Sequence, residues 1–209
     1  MTTTLPWLTI AASMLLILVY ELRLLRAERH DPEASARSAH RLLRAEWVKA
    51  MSKQPNSEIL AVQALRNSLM SATITASTAI LVLMGSVSLI ASRNAAALER
   101  ELLSPHLLLE VSLVATLLAT YLCSAMAMRY YHHAGFVLSL PVGTPERVAR
   151  EPLASLYVQQ AGVLYSWSLR CFLFAAPLGI GLLNPLAMPM GALGLLIFLR
   201  LFDRVPRRS

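Results

Sequence analysis

The chain has 209 residues, of which 56% are hydrophobic and only 15% charged, with a formal net charge of +7 and a mean hydropathy of +0.55. Soluble domains average about 25% charged residues, so the length reads as one membrane domain over residues 1–209 rather than one water-soluble domain. The positive excess does not point to nucleic acid, since so apolar a chain has no broad solvated basic face; its basic residues punctuate apolar blocks, as they do near anionic lipid headgroups.

A bilayer core about 30 Å thick needs about 20 apolar residues in a helix. The first such block runs from Leu5 to Leu22, started by Thr4-Leu5-Pro6. Met1 to Thr4 carry no positive side chain, and no small-residue cleavage site precedes the charged run after Tyr20. The block therefore reads as a retained anchor rather than a signal peptide. A polar loop follows over 23–67. Within it Asp31-Pro32 suits an N-cap and first turn, and a helix over 32–53 places Ala39, Leu43, Trp47 and Ala50 on one face. Such a helix fits the headgroup layer or another subunit. Lys53-Gln54-Pro55 ends it, and Asn56 or Ser57 can cap a helix that runs unbroken from Glu58 into the second span.

That second span covers 68–91 and the third 107–128. The last block, Tyr165 to Phe202, is 38 residues long, with Arg170 its one charge before Arg200. Asn184-Pro185 near its middle, followed by Pro189, predicts a turn, because proline lacks an amide proton and keeps the preceding residue out of helix. The block then reads as two short spans, 164–182 and 187–202. Basic residues agree: the 23–66 segment holds nine Lys or Arg, while the short turn at 182–186 has none and the tail has Arg200, Arg204, Arg207 and Arg208. Five spans with the N-terminus outside place every basic-rich segment in the cytoplasm; four spans put the Arg-rich tail on the wrong side. The expected fold is therefore all-α, a helical membrane bundle of about five transmembrane helices plus a cytoplasmic interfacial helix.

On this topology three polar groups share the cytoplasmic edge. Gln63, Arg66 and Asn67 precede the second span, Arg129-Tyr130-Tyr131-His132-His133 close the third, and Tyr165, Trp167 and Arg170 open the fourth. Arg170 lies within the apolar run, where a charge costs about 2.5–3.5 kcal/mol. It predicts a partner, and Glu21, next to Tyr20, is the nearest acid by depth. The plainer account of the arginines and aromatics is headgroup snorkelling and an aromatic belt. Taken together, Gln63, Arg66, Asn67, Arg129, Tyr130, His133 and Arg170 can line a basic pocket for a lipid headgroup or another anion, with bidentate arginine contacts to phosphate or carboxylate.

The second span also repeats small residues at Ala72, Ala76 and Ala79 and hydroxyls at Ser71, Thr75 and Thr78. These predict close helix packing with hydrogen bonds across the contact. Glu110, one turn into the third span, reads as a solvated or Arg93-paired carboxylate. Cys123 and Cys171 lack metal or redox spacing and read as packed free thiols. His132 and His133 are adjacent and point about 100° apart on a helix, so they do not share one metal ion. A bis-histidine haem would have to be shared across a homodimer. No nucleophile motif, phosphate loop or dinucleotide fingerprint is present.

The stretch Ala61 to Thr78, A-V-Q-A-L-R-N-S-L-M-S-A-T-I-T-A-S-T, resembles the signature of the domain-of-unknown-function family 599, small membrane proteins of bacteria and plants. The resemblance continues through Arg129, Tyr130, Tyr131, His133 and Phe136. It returns at Tyr165, Arg170, Phe172, Phe174, Pro177, Leu178 and Pro185, covering about 45–203. Cys171 and Leu173 interrupt an aromatic pair expected there, and Asn184 stands where the family has glycine. The resemblance implies fold and membrane location, and carries no activity.

Three functions compete. The first is a non-catalytic protein of the bacterial inner membrane that works by association, as a homo-oligomer or an accessory subunit. The second is a small lipid- or anion-binding transporter using the arginine cluster. The third is a redox protein sharing haem. The expected partners are membrane lipids and other membrane subunits, with no nucleic acid.

Overall fold

The computed structural model describes residues 4–30, 36–96 and 104–203. They form six α-helices: α1 Thr4–His30, α2 Ala36–Lys53, α3 Glu58–Ala96, α4 Pro105–Leu138, α5 Pro145–Leu183 and α6 Met188–Phe202, with one 3-10 turn at Pro185–Ala187. No strand occurs among the described residues. The protein is all-α, and four helices (α1, α3, α4 and α5) are long and apolar enough to cross a membrane; α6 is a shorter apolar helix.

The long helices outrun the spans expected of them. At 1.5 Å per residue the 39 residues of α3 extend about 58 Å. In α1 the extension past Leu22 is Arg-Leu-Leu-Arg-Ala-Glu-Arg-His, built largely of strong helix formers, so nothing stops the helix where the hydrocarbon should end. The Asp31-Pro32 cap lies outside the described residues. At the start of α4 Ser104 caps the helix, its Oγ accepting the Leu107 amide at 3.1 Å, and Pro105 takes the first turn. The loop after α4 turns at Gly143, whose φ of +88° strains any side-chain-bearing residue.

The predicted break in the last block is present. α5 ends at Leu183 and Asn184 becomes extended (φ −152°), its side-chain oxygen accepting the Leu186 amide at 3.0 Å. Pro189 then falls in the first turn of α6, where its missing donor costs nothing.

The chain divides into two compact units. Unit 1 takes Met1–Ala36, Ala79–Ala119 and Arg170–Ser209; unit 2 takes Arg37–Thr78 and Thr120–Leu169. α3, α4 and α5 contribute segments to both. Unit 1 packs around Ile10, Leu109, Leu113, Leu117, Leu178 and Met188, with the α4 leucines four apart on one face. Unit 2 has a smaller-grained core: Ala61 and Leu65, Ala127, Tyr131 and Ala134, and Ala154, Val158 and Ala161. Alanine at this spacing lets helix backbones approach closely.

Two expectations about helix faces need correction. α2 turns Val48 and Met51 into the unit 2 core with Trp47 partly buried beside them, while Leu43 is 61% exposed. The stripe through Ala39, Leu43, Trp47 and Ala50 is therefore not the face that packs, because Val48 and Met51 lie one position round the helix from Trp47 and Ala50. On α3 the small residues do pack, Ala72, Ala76 and Ala79 all being buried. Ser71, Thr75 and Thr78, however, donate to the carbonyls of Asn67, Ser71 and Ile74 in their own helix. Four-back bonding satisfies an exposed hydroxyl without a second helix. Other hydroxyls of unit 2 do reach across: Thr73 of α3 lies 3.1 Å from Met128 Sδ of α4, and α4 and α5 share a serine pair. Ser124 and Ser168 meet at 2.6 Å, and Ser168 also donates to the Thr120 carbonyl at 2.9 Å.

Candidate functional site

In unit 1 the polar chemistry gathers on Arg170 of α5, which is 7% exposed. Its Nη1 donates to Glu21 Oε1 of α1 at 2.6 Å. Its Nη2 pairs with Asp203 Oδ1, and the other Asp203 oxygen accepts the Tyr20 hydroxyl at 2.8 Å. Each acid takes a different guanidinium nitrogen, so the arginine fork is shared between two helices. The cluster thus ties α1, α5 and the end of α6, where Asp203 follows the last turn and donates its amide to Leu199. Glu21 as partner matches the depth argument from sequence. Asp203 does not appear in that argument, although it is the one acidic residue after Glu151. A two-acid cage for one intramembrane arginine was the missed signal.

Unit 2 carries the other proposed ligand residues. Gln63, Arg66 and Asn67 are exposed on α3, and Arg129 and His133 are exposed on α4. Half-buried Tyr130 and exposed His133 both lean on the ring of Tyr157 of α5, at centroid distances of 5.7 and 5.5 Å. Tyr157 therefore links the two and was not singled out beforehand. Arg170 belongs to unit 1 and has its two carboxylates; the other six named residues belong to unit 2. A cavity of about 320 Å³ in unit 2 is lined by Arg44 and Trp47 of α2, Ser68 of α3 and Tyr131 of α4, among others. The Arg44 guanidinium lies directly over Gly162, where any Cβ would collide with it.

A second buried arginine was missed altogether. Arg147, near the start of α5, is 1% exposed. Its Nη1 donates to the Leu138 carbonyl at 2.9 Å and also to that of Leu140, and its Nη2 donates to Met51 at 2.9 Å. Leu138 ends α4 and Met51 lies in the last turn of α2, so a cation sits where two helices leave carbonyls without intrahelical donors. Glu58, the first residue of α3, stands 4.0 Å from the guanidinium and accepts the Val142 amide at 2.7 Å. The sequence does not single out Arg147, because its carbonyl partners leave no side-chain signature.

The remaining residues fall into place locally. Glu110 is buried with Arg93 at 3.9 Å, in line with the paired reading. Cys123 and Cys171 are half-buried and are not joined in a disulfide. No group of three or more histidine, cysteine or acidic side chains able to hold a metal comes together among the described residues.

An all-α membrane chain with this helix pattern matches the family described as "protein of unknown function, DUF599" over residues 8–208, and the chain belongs to that family. The match begins in α1 and so takes in more of the chain than the motifs from Ala61 onward. No curated protein and no solved structure matches it.

Proposed function

We propose that this protein works by association, as a homo-oligomer or an accessory subunit in the bacterial cytoplasmic membrane, with five spans, the N-terminus outside and the C-terminus cytoplasmic. The observation that carries the reading is exposed apolar surface on helix segments beyond the expected spans. Leu42 and Leu43 of α2, Ile59 and Leu60 of α3, Phe136 of α4 and Val148 of α5 are all more than half exposed. Each lies outside the apolar stretches 68–91, 107–128 and 164–182 that suit the hydrocarbon layer. Large apolar side chains left exposed to an aqueous or headgroup environment mark interaction surfaces. The five-span topology is supported by unit 1: Tyr20 meets Asp203, while Ala12 and Leu16 line one groove with Leu193 and Ile197. α1 and α6 therefore run in the same direction, as an odd number of crossings requires.

Native mass spectrometry of protein extracted with its lipids in a mild detergent tests the reading. A defined oligomer or stoichiometric complex is expected, with Ile59→Lys and Phe136→Lys together shifting it toward monomer while the fold persists. A lone monomer throughout removes the proposal. A second reading, lipid or anion binding at the arginines of unit 2, draws support from the exposure of Arg66 and Arg129. Replacing both with Gln should then strip co-purifying lipid, and unchanged lipid content ends it.

A further inference from the structure

The same-direction pairing of α1 and α6 in unit 1 leaves an open groove of about 870 Å³ whose lining changes chemistry along its length. Ala12, Leu16 and Val19 of α1 face Leu193 and Ile197 of α6 across its apolar part. From Ala12 to Val19 this part extends about 10 Å. One turn further on each helix an arginine enters the lining, with Leu24 and Ala27 of α1 continuing an apolar strip beside it. Arg23 follows Val19 on α1, and Arg200 follows Ile197 on α6; both are exposed and both line the groove. Tyr20 and Asp203 stand at the same level, joined by their 2.8 Å hydrogen bond, and Asp203 is already engaged by Arg170. Among the described residues at this end, arginines 23, 170 and 200 outnumber the carboxylates of Glu21 and Asp203 by one positive charge.

We propose that the groove holds an anionic phospholipid, one acyl chain lying along the α1–α6 apolar walls and the phosphate seated between Arg23 and Arg200. The order of chemistry along the groove, hydrocarbon then paired guanidinium groups, is the order along such a lipid. Guanidinium groups suit phosphate because they donate in a planar fork. The net positive charge selects a headgroup that is negative overall over a zwitterionic one. A helix from a second copy fits less well, since it would cover Arg23 and Arg200 and withdraw both charges from water and headgroups. The site lies in unit 1 and does not depend on the association surface of unit 2.

Native mass spectrometry of the full chain, offered equal phosphatidylglycerol and phosphatidylcholine, provides the test. Phosphatidylglycerol should be retained about tenfold over phosphatidylcholine. Arg23→Gln with Arg200→Gln should abolish that preference, whereas Arg23→Lys with Arg200→Lys should keep most of it. Leu193→Trp, which fills the apolar part and leaves every charge in place, should lower retention of both lipids and reads independently if the double Gln variant fails to fold. Equal retention of the two lipids by the unaltered chain overturns the proposal. So does full displacement of phosphatidylglycerol by inorganic phosphate, which would mark a free-anion site. Disulfide cross-linking between two copies through Leu193→Cys, in place of lipid retention, overturns it in favour of a helix-filled groove.

Discussion

Arg147 and Arg170 are both buried cations on α5, one in each unit, and their environments differ in kind. Arg170 is held by side chains: Glu21 and Asp203 take its two terminal nitrogens, and Tyr20 steadies Asp203. Arg147 is held by backbone: the carbonyls of Met51, Leu138 and Leu140 accept from its two terminal nitrogens, and Glu58 stands at 4.0 Å. The difference shows two ways of keeping a charge out of water. Carboxylates neutralise it but are themselves costly to bury, so the pairing succeeds only when complete. Carbonyls at helix ends are partial negative charges that need donors anyway, so there the arginine satisfies groups the fold could not avoid creating. The first cluster is a matter of side-chain choice. The second is set by where helices stop.

That contrast can be broken experimentally. The largest effect is expected at Arg170: Arg170→Gln removes the guanidinium that Glu21 and Asp203 share, a loss of about 4 kcal/mol readable as a drop in thermal midpoint by size-exclusion in detergent. Adding Glu21→Gln and Asp203→Asn should restore most of that loss, since the charges are then removed together; no recovery would mean the cluster is not a closed ionic unit. Arg147→Met should cost about 2–3 kcal/mol through the Leu138 and Leu140 carbonyls left without it, that of Met51 keeping the Ser57 hydroxyl; here Glu58→Gln should bring no recovery, because backbone cannot be mutated away. Recovery by Glu58→Gln would show that Arg147 is chiefly a salt-bridge partner. Tyr20→Phe removes one hydrogen bond to Asp203 and should cost about 1 kcal/mol, measured in the same assay. Smallest of all, Glu58→Gln alone keeps an acceptor for the Val142 amide and should move the midpoint only slightly; a change as large as that of Arg147→Met would contradict the assigned hierarchy.

The same contrast governs what could be read without coordinates. Arg170 stood out because a charge in an apolar run demands a partner, and depth along the helices singled out Glu21. Asp203 stayed hidden behind the end of α6, since its place beside Tyr20 depends on α1 and α6 lying in register. Arg147 gave no signal: its partners are carbonyls, which every residue has. The face of α2 was misjudged for a related reason. A short amphipathic helix with both Leu42–Leu43 and Val48–Met51 offers two apolar stripes, and only the packing partners decide that Val48 and Met51 turn inward. The hydroxyls of α3 look the same in sequence whether they bond across a contact or back to their own turn, so only the observed acceptors distinguish them.

Apolar block length, the Asn184-Pro185 break and proline or serine at helix starts are local properties of the chain. Hydrocarbon thickness and backbone donor chemistry act on them without reference to distant residues, and so the all-α membrane architecture and the split of the last block follow from residue order alone. Which residues meet across helices is not local. The two-acid cage of Arg170, the carbonyl cage of Arg147, the Ser124–Ser168 contact and the α1–α6 groove each need helices brought side by side in a particular rotation and register. Small changes in side-chain volume set that rotation, and only the folded arrangement of the helices reveals it.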